Sequence, residues 1–302
     1  MTQASTPSST RTYRVSHRTT YRYSSVMTDG YSVGCLVPRP TRWQVVHDAT
    51  VRLVPPATEW DSFLDAFGNF VNQFGLHEPH DEMVVEALSV VEVSERPRPV
   101  DDTPWEHVVG IADEASGELA IDTGMFRSAS PLIDVPALAG SFGAITNEVF
   151  TPGRPIVEAL DALCQTIFHG FEFDAAFSTL STPLDEVLTA RRGVCQDFAH
   201  LAVGCLRSLG LPARYVSGYI ETLPPPGAER LVGADASHAW CSAWTPQAGW
   251  VDFDPTNGHL PVNDHITVGW GRDYSDVTPV RGVMIGPSAT QQLDVAVDVA
   301  RL

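Results

Sequence analysis

The chain has 302 residues, a formal net charge of −18 at pH 7 and 43% hydrophobic residues. This length is enough for two domains with sizeable cores. The acidic balance and the lack of any Lys/Arg run argue against a nucleic-acid partner, because two polyanions repel each other. No apolar run approaches 18 residues, so we expect no membrane-spanning helix. Residues 1–12 are rich in Ser and Thr and carry no apolar segment of the signal-peptide kind.

The five cysteines are odd in number, scattered along the chain and never spaced as C-x-x-C. This usage indicates reduced thiols in a cytoplasmic protein and argues against a disulfide framework or a thiolate zinc cluster. The five are Cys35, Cys164, Cys195, Cys205 and Cys241.

The first third of the chain predicts β-structure. Alternating runs at 45–54 and 83–93, and a hairpin pattern at 63–76 around Gly68-Asn69, are typical of a small sandwich or barrel. The sequence Arg96-Pro97-Arg98-Pro99 interrupts this pattern and marks a boundary. We therefore predict a β-rich domain over residues 1–95 and a partly helical linking segment over 96–155.

Helices and then strands follow in the second half of the chain. Apolar residues at helical spacing, a proline at the start and a glycine at the end define the helices. The predicted helices are 155–170, a short one after Pro183 and 195–209; the predicted strands are 213–220, 239–244 and 250–253. A helix followed by antiparallel strands predicts an α+β core, which we assign to residues 156–302.

One candidate nucleophile stands where a glycine-marked turn enters an apolar helix, in Arg192-Gly193-Val194-Cys195-Gln196-Asp197. A thiol attacks as its thiolate, and a helix N-terminus stabilises that anion. Gln196 and Asp197 occupy the first helical turn, where we interpret both as capping residues. Gln196 has a second interpretation as a substrate contact.

Downstream, Ser237-His238-Ala239-Trp240 begins one strand, and the return strand of the hairpin ends at Asp254. Neighbouring strands place side chains about 5 Å apart, close enough for an imidazole–carboxylate hydrogen bond. Asp252 points to the same face and is the rival carboxylate. A proline after Asp254 stops the strand there and fixes that carboxylate at its end.

The motifs G-V-C-Q-D-F-A-H, S-H-A-W and W-x-x-x-D-P-T-N together resemble the core of the transglutaminase-like superfamily. The segments 13–23 and 35–40 resemble the N-terminal domain of its bacterial members. The resemblance implies a papain-like core, with the nucleophile helix packed on an antiparallel sheet or barrel and a β-rich domain before it. It also implies a catalytic triad of Cys195, His238 and Asp254, and it selects Asp254 over Asp252. We expect Gln196 and Trp240 to contact substrate.

The expected chemistry is attack of the Cys195 thiolate on a peptide or protein amide, forming a thioester acyl-enzyme. Water would resolve the thioester in a peptidase or amidase, whereas a lysine amine would resolve it in a transglutaminase. We favour hydrolysis. A non-catalytic binding module is the alternative class, but all three triad positions are filled. A redox pair of Cys195 with Cys241 is disfavoured, because Cys241 faces away from His238 on its strand.

We expect neither a cofactor nor a metal. The segment 259–265 contains two histidines and an aspartate, yet a proline interrupts it and it lacks regular ligand spacing. We expect this loop to line the cleft beside Asp254.

Overall fold

The computed structural model describes residues 10–179, 182–221, 237–287 and 290–302. The first strands are β1 (Thr10–Met27), β2 (Asp29–Gly34), β3 (Gln44–Val54), β4 (Glu59–Leu64), β5 (Phe70–Leu76) and β6 (His80–Ser94). Four helices follow: α1 (Trp105–Asp113), α2 (Gly117–Gly124), α3 (Val135–Val149) and α4 (Ile156–Gly170). None of the helices in these described ranges is long and apolar enough to cross a membrane.

The next segment is β7 (Glu172–Phe173), α5 (Leu184–Ala190), β8 (Arg192–Gly193) and α6 (Cys195–Ser208). The remaining strands are β9 (Ala213–Ile220), β10 (Ser237–Thr245), β11 (Gly249–Phe253), β12 (His265–Gly271), β13 (Val280–Ile285) and β14 (Gln291–Arg301). The predicted α+β class, the nucleophile helix and the hairpin that returns towards Asp254 are confirmed.

The β-structure predicted for the first third of the chain forms two antiparallel sheets. Their strand orders are β14-β1-β6-β3 and β13-β2-β5-β4. The expected hairpin is the β4–β5 pair, whose register brings Leu64 opposite Phe70. Asp65 holds the turn, because its Oδ1 accepts the backbone N–H groups of Phe67 and Asn69.

Both sheets are completed by the end of the chain, which the sequence analysis had assigned to the catalytic core. β14 pairs antiparallel with β1 along its whole length, and β13 pairs with β2. Without them β1 and β2 would present open edges, which proteins rarely leave long and uncovered. Alternation along β14 predicts a strand but carries no information on its partner, so the sequence did not reveal this return.

The catalytic half is built around the sheet β11-β10-β9-β12. On one face of this sheet, α6 is almost entirely buried between the strands and the helices α3 and α4. Leu201 and Cys205 of α6 share one apolar cluster with Ala213 and Tyr215 of β9. This packing fixes the start of α6 against the ends of the strands.

The catalytic sheet also packs on the N-terminal sheet. Tyr219 and Ile266 of the catalytic sheet share one apolar cluster with Val15, Val297 and Val299. The catalytic sheet therefore contacts both the helices and the N-terminal β-structure.

The contribution of β14 is testable with two valines on that strand. Val297 is fully buried, whereas Val295 is 47% exposed. Val297→Ala should lower the free energy of unfolding by about 2 kcal/mol, from lost apolar burial and the cavity left behind. Val295→Ala should change it by less than about 0.5 kcal/mol. Urea unfolding measures both, and equal effects would contradict the packing of β14 at this interface.

Candidate active site

Cys195 is the first residue of α6, and the local sequence explains how the helix begins there. The Asp197 Oδ2 accepts the backbone N–H of Val194 at 2.9 Å and the Ser178 hydroxyl at 2.5 Å. The capping interpretation of Asp197 is thus confirmed. A Cβ at position 193 would lie 2.7 Å from the same Oδ2, so only glycine leaves room for this contact.

The Cys195 thiol differs from the other four in its surroundings. It is only partly buried, whereas the other cysteines are buried. Burial raises the pKa of the Cys35 and Cys164 thiols to about 12. Cys241 is fully buried and donates to the Ala199 carbonyl at 3.2 Å, which is incompatible with its serving as an exposed redox partner.

His238 and Asp254 meet as the hairpin predicted. His238 lies at the start of β10, and Asp254 directly follows the paired return strand β11. The His238 Nε2 lies 2.7 Å from the Asp254 Oδ2, and the Cys195 thiol at the start of α6 lies near enough to the His238 ring to raise its pKa. The three predicted residues are therefore brought together at the start of α6.

The neighbours of His238 and Asp254 shift the pKa values of both residues. Burial alone would lower the pKa of His238, but the hydrogen bond to Asp254 and the nearby Cys195 thiol outweigh it and raise that pKa to about 10. Burial alone would raise the pKa of Asp254, but hydrogen bonds from His238 and His265 hold it well below its usual range. At neutral pH the arrangement favours a protonated His238 next to an ionised Asp254.

The D-P-T-N turn fixes the carboxylate. The Asp254 Oδ1 accepts the backbone N–H groups of Thr256 and Asn257 at 2.9 and 3.2 Å. The Asn257 side-chain amide also donates to Asp254 Oδ2 at 2.7 Å. These bonds leave the carboxylate little freedom to rotate, which explains why the motif continues past the aspartate.

A second histidine shares the carboxylate, and sequence reasoning did not single it out. The His265 Nε2 lies 2.9 Å from Asp254 Oδ2, and its Nδ1 lies 2.9 Å from the Asp264 Oδ1. His265 begins β12, which pairs with β9, while β9 also pairs with β10. The expected position of the 259–265 loop beside Asp254 is confirmed. The contact of His265 with Asp254 depends on the pairing of β12 with β9, which the sequence does not predict.

Two side-chain groups in the described part of the chain have donor atoms close enough to hold a cation. They are His238, Asp254 and His265, and His259, Asp264 and His265. In the first group both histidines lie within hydrogen-bond distance of Asp254 through Nε2, and His265 also meets Asp264 through Nδ1. These hydrogen bonds account for the positions of the three side chains.

Asp252, the rival carboxylate, lies outside the chain of contacts to the thiol. Its Oδ2 accepts Arg96 Nη1 at 2.5 Å and Trp240 Nε1 at 3.3 Å. The expected role of Trp240 as a substrate contact requires correction, because its side chain is fully buried. The indole instead stacks on His238 with ring centroids 6.1 Å apart, so it packs against the histidine.

Gln196 lies in the position expected of a substrate contact. It is partly buried and lines a groove of about 510 Å³ beside the start of α6. The groove walls are apolar at Leu132 and Leu138 and acidic at Asp134 and Asp185.

Family comparisons agree with this architecture. The profile of the transglutaminase-like superfamily matches residues 143–255, and that of the bacterial transglutaminase-like N-terminal region matches residues 13–92. A Mycobacterium bovis protein of uncharacterized function is 40% identical over 97% of this chain and 93% of its own length. A Mycobacterium leprae protein, also uncharacterized, is 35% identical over 96% of this chain and 98% of its own length.

More distant relatives have named activities. A protein-glutamine gamma-glutamyltransferase of Pseudomonas aeruginosa is 34% identical, over 32% of this chain and 15% of that protein. The crystal structure of a candidate cysteine protease from Cytophaga hutchinsonii shares the fold, with a TM-score of 0.75 at 21% identity over 98% of this chain and 92% of that one. The chain belongs to the transglutaminase-like superfamily, in the group that carries the bacterial transglutaminase-like N-terminal region.

Proposed function

We propose that this protein is a cysteine-dependent enzyme that hydrolyses peptide or protein amide bonds through a thioester acyl-enzyme. The observation that carries the proposal is that Cys195, at the N-terminus of α6, lies beside His238, whose Nε2 is hydrogen-bonded to Asp254. A thiol, a base and an orienting carboxylate in this order are the groups that nucleophilic catalysis by a thiol uses.

In the first half of the reaction, the Cys195 sulfur attacks the carbonyl carbon of the amide. The backbone N–H of Cys195, which has no acceptor within the helix, is placed to donate to the developing oxyanion. The carbon–nitrogen bond then breaks, and the His238 imidazolium gives its proton to the departing amine. The products of this half are the free amine and a thioester on Cys195.

In the second half, neutral His238 takes a proton from water as that water attacks the thioester. The carbon–sulfur bond breaks, the carboxylic acid leaves, and the thiolate and imidazolium are restored. Asp254 keeps the ring oriented and compensates its positive charge in both halves.

The groove beside Gln196 indicates which substrates would bind. Apolar walls bind apolar side chains, and the exposed carboxylates of Asp134 and Asp185 favour basic ones. We therefore propose a peptide segment with apolar and basic residues flanking the cleaved bond.

Acyl transfer to an amine is the second candidate function. It is favoured by the sequence match of the core to a protein-glutamine gamma-glutamyltransferase. The same thioester would form, and a lysine amine would replace water in the second half.

The position of Cys195 at a helix N-terminus beside His238 predicts that it reacts with iodoacetamide at pH 6 far faster than the other cysteines. With a pKa of about 12, Cys35 and Cys164 expose only about one thiolate in 10⁵ at pH 7. His238→Gln should slow Cys195 labelling at pH 6 at least about tenfold, because the cationic partner is lost. Peptide mapping by mass spectrometry measures each site, with the exposed His47→Gln as control. Faster labelling at any other cysteine would remove Cys195 as the nucleophile.

Replacement of the two aspartates separates their roles. Asp254→Asn should lower kcat by about 10²–10⁴-fold, because His238 loses its acceptor and its charge partner. Asp252→Asn should reduce kcat far less and mainly lower the melting temperature, because it weakens the contact with Arg96. Turnover per folded molecule, corrected by thermal unfolding, distinguishes them. The reverse order of effects would mean that Asp252 is the orienting carboxylate.

The acyl acceptor is tested by incubating the enzyme with a peptide mixture in H₂¹⁸O that also contains a dansylated alkylamine. Hydrolysis predicts new carboxyl groups carrying ¹⁸O, and Cys195→Ala should produce none. Dansylated peptides without ¹⁸O incorporation would instead identify an acyltransferase. Failure of both, with no acyl adduct on Cys195 in the intact-protein mass, would contradict amide-bond chemistry altogether.

A further inference from the structure

A cavity of about 760 Å³ lies on the face of the catalytic sheet opposite α6. Ala213 and Tyr215 of β9 face the helix, so the alternating residues Arg214 and Val216 face the cavity. The segments 41–43 and 96–100 form its other walls. Its volume is in the range of small-molecule sites, and none of Cys195, His238 and Asp254 lines it.

Arg214 lines this cavity, and it is unusually buried for an arginine. Its residue is only 7% exposed, and its Nε is buried without a hydrogen-bond partner in the described part of the chain. Its guanidinium carbon lies 3.6 Å from the Trp270 ring centroid and 4.2 Å from that of Trp250. The aromatic rings hold the planar cation in place but offer it no hydrogen-bond acceptor.

The surrounding charges leave the cavity positive. It is lined by four arginines, Arg42, Arg96, Arg98 and Arg214, and by two aspartates, Asp122 and Asp252. Both carboxylates are already engaged, since Asp252 accepts from Arg96 and Trp240 while Asp122 accepts from the Trp250 indole at 2.9 Å.

The electrostatic state of Arg214 agrees with incomplete pairing. Burial lowers the pKa of its guanidinium to about 9, although Asp252 opposes this shift. The Nε of Arg96 is likewise buried without a partner among the described residues. Among the described residues, the Nε donors of Arg96 and Arg214 are thus both buried without an acceptor. This cluster of cations stands out in a protein whose net charge is −18.

We propose that this cavity binds a small organic anion, with a carboxylate or phosphate group carried on an apolar body. The guanidinium fork of Arg214 matches the oxygens of either group, and Arg98 adds a cation at the exposed rim. Val216, Leu260 and Pro99 supply apolar wall for the rest of the ligand. The cavity is not lined by Cys195, His238 or Asp254, so the test of ligand binding does not require the amide-bond chemistry.

The probes are benzoate, phenyl phosphate and benzyl alcohol, the last a neutral counterpart of benzoate. Calorimetric titration of the full chain in low-salt, anion-poor buffer should show one site for at least one of the two anions. Benzyl alcohol should bind at least about tenfold more weakly. Cys195→Ser should bind the anion as the wild type does, so loss of enzymatic chemistry would leave this result unchanged.

Three variants locate the site. Arg214→Gln should weaken binding of the anion at least about tenfold, and Arg98→Gln about threefold, because each removes a facing cation. Arg18→Gln, which changes an exposed arginine of β1, should leave the affinity unchanged. If Arg214→Gln does not fold, Arg98→Gln decides, since its side chain is exposed. Wild-type protein that does not prefer the anions, or lining variants that bind them like the wild type, would overturn the proposal.

Discussion

A single buried carboxylate holds the candidate site together. Asp254 is fully buried, and its Oδ2 alone accepts from His238, His265 and Asn257. An ionised carboxylate in a protein interior costs several kcal/mol unless charge partners and hydrogen bonds compensate it. Here two imidazoles and three donors of the D-P-T-N turn provide that compensation. Any rotation of the carboxylate would break several of these bonds at once. The carboxylate therefore keeps the His238 ring in one orientation.

His265 extends this constraint beyond a three-residue chain. Its two ring nitrogens lie within hydrogen-bond distance of the carboxylates of Asp254 and Asp264. The hydrogen bond from His265 helps to hold the pKa of Asp254 well below its usual range. His238, Asp254, His265 and Asp264 therefore alternate between imidazole and carboxylate, and each hydrogen bond strengthens its neighbours.

The sequence predicts the local features of this structure better than its long-range strand pairings. The start of α6 at Cys195 and the β10–β11 hairpin follow from helix capping and turn chemistry within short windows, whereas the family motif selects Asp254 over Asp252. The pairing of β14 with β1 and the approach of His265 to Asp254 depend on strand order, which alternation does not encode. Trp240 was misjudged for a related reason: strand position placed it near the site, but only the packing shows that its ring is covered.

The catalytic sheet has two different faces because side chains alternate along its strands. On the face towards α6, Ala213, Tyr215 and Cys241 are apolar and tightly packed, which holds the helix start rigid next to His238. The opposite face carries Arg214 and Asp252, which could not be placed against α6 without burying charge in that core. Trp240 lies on the same face as Arg214 and Asp252, and its ring stacks on His238 while its indole N–H donates to Asp252. A ligand that shifts Asp252 or Arg96 would therefore change the packing of Trp240 against the histidine.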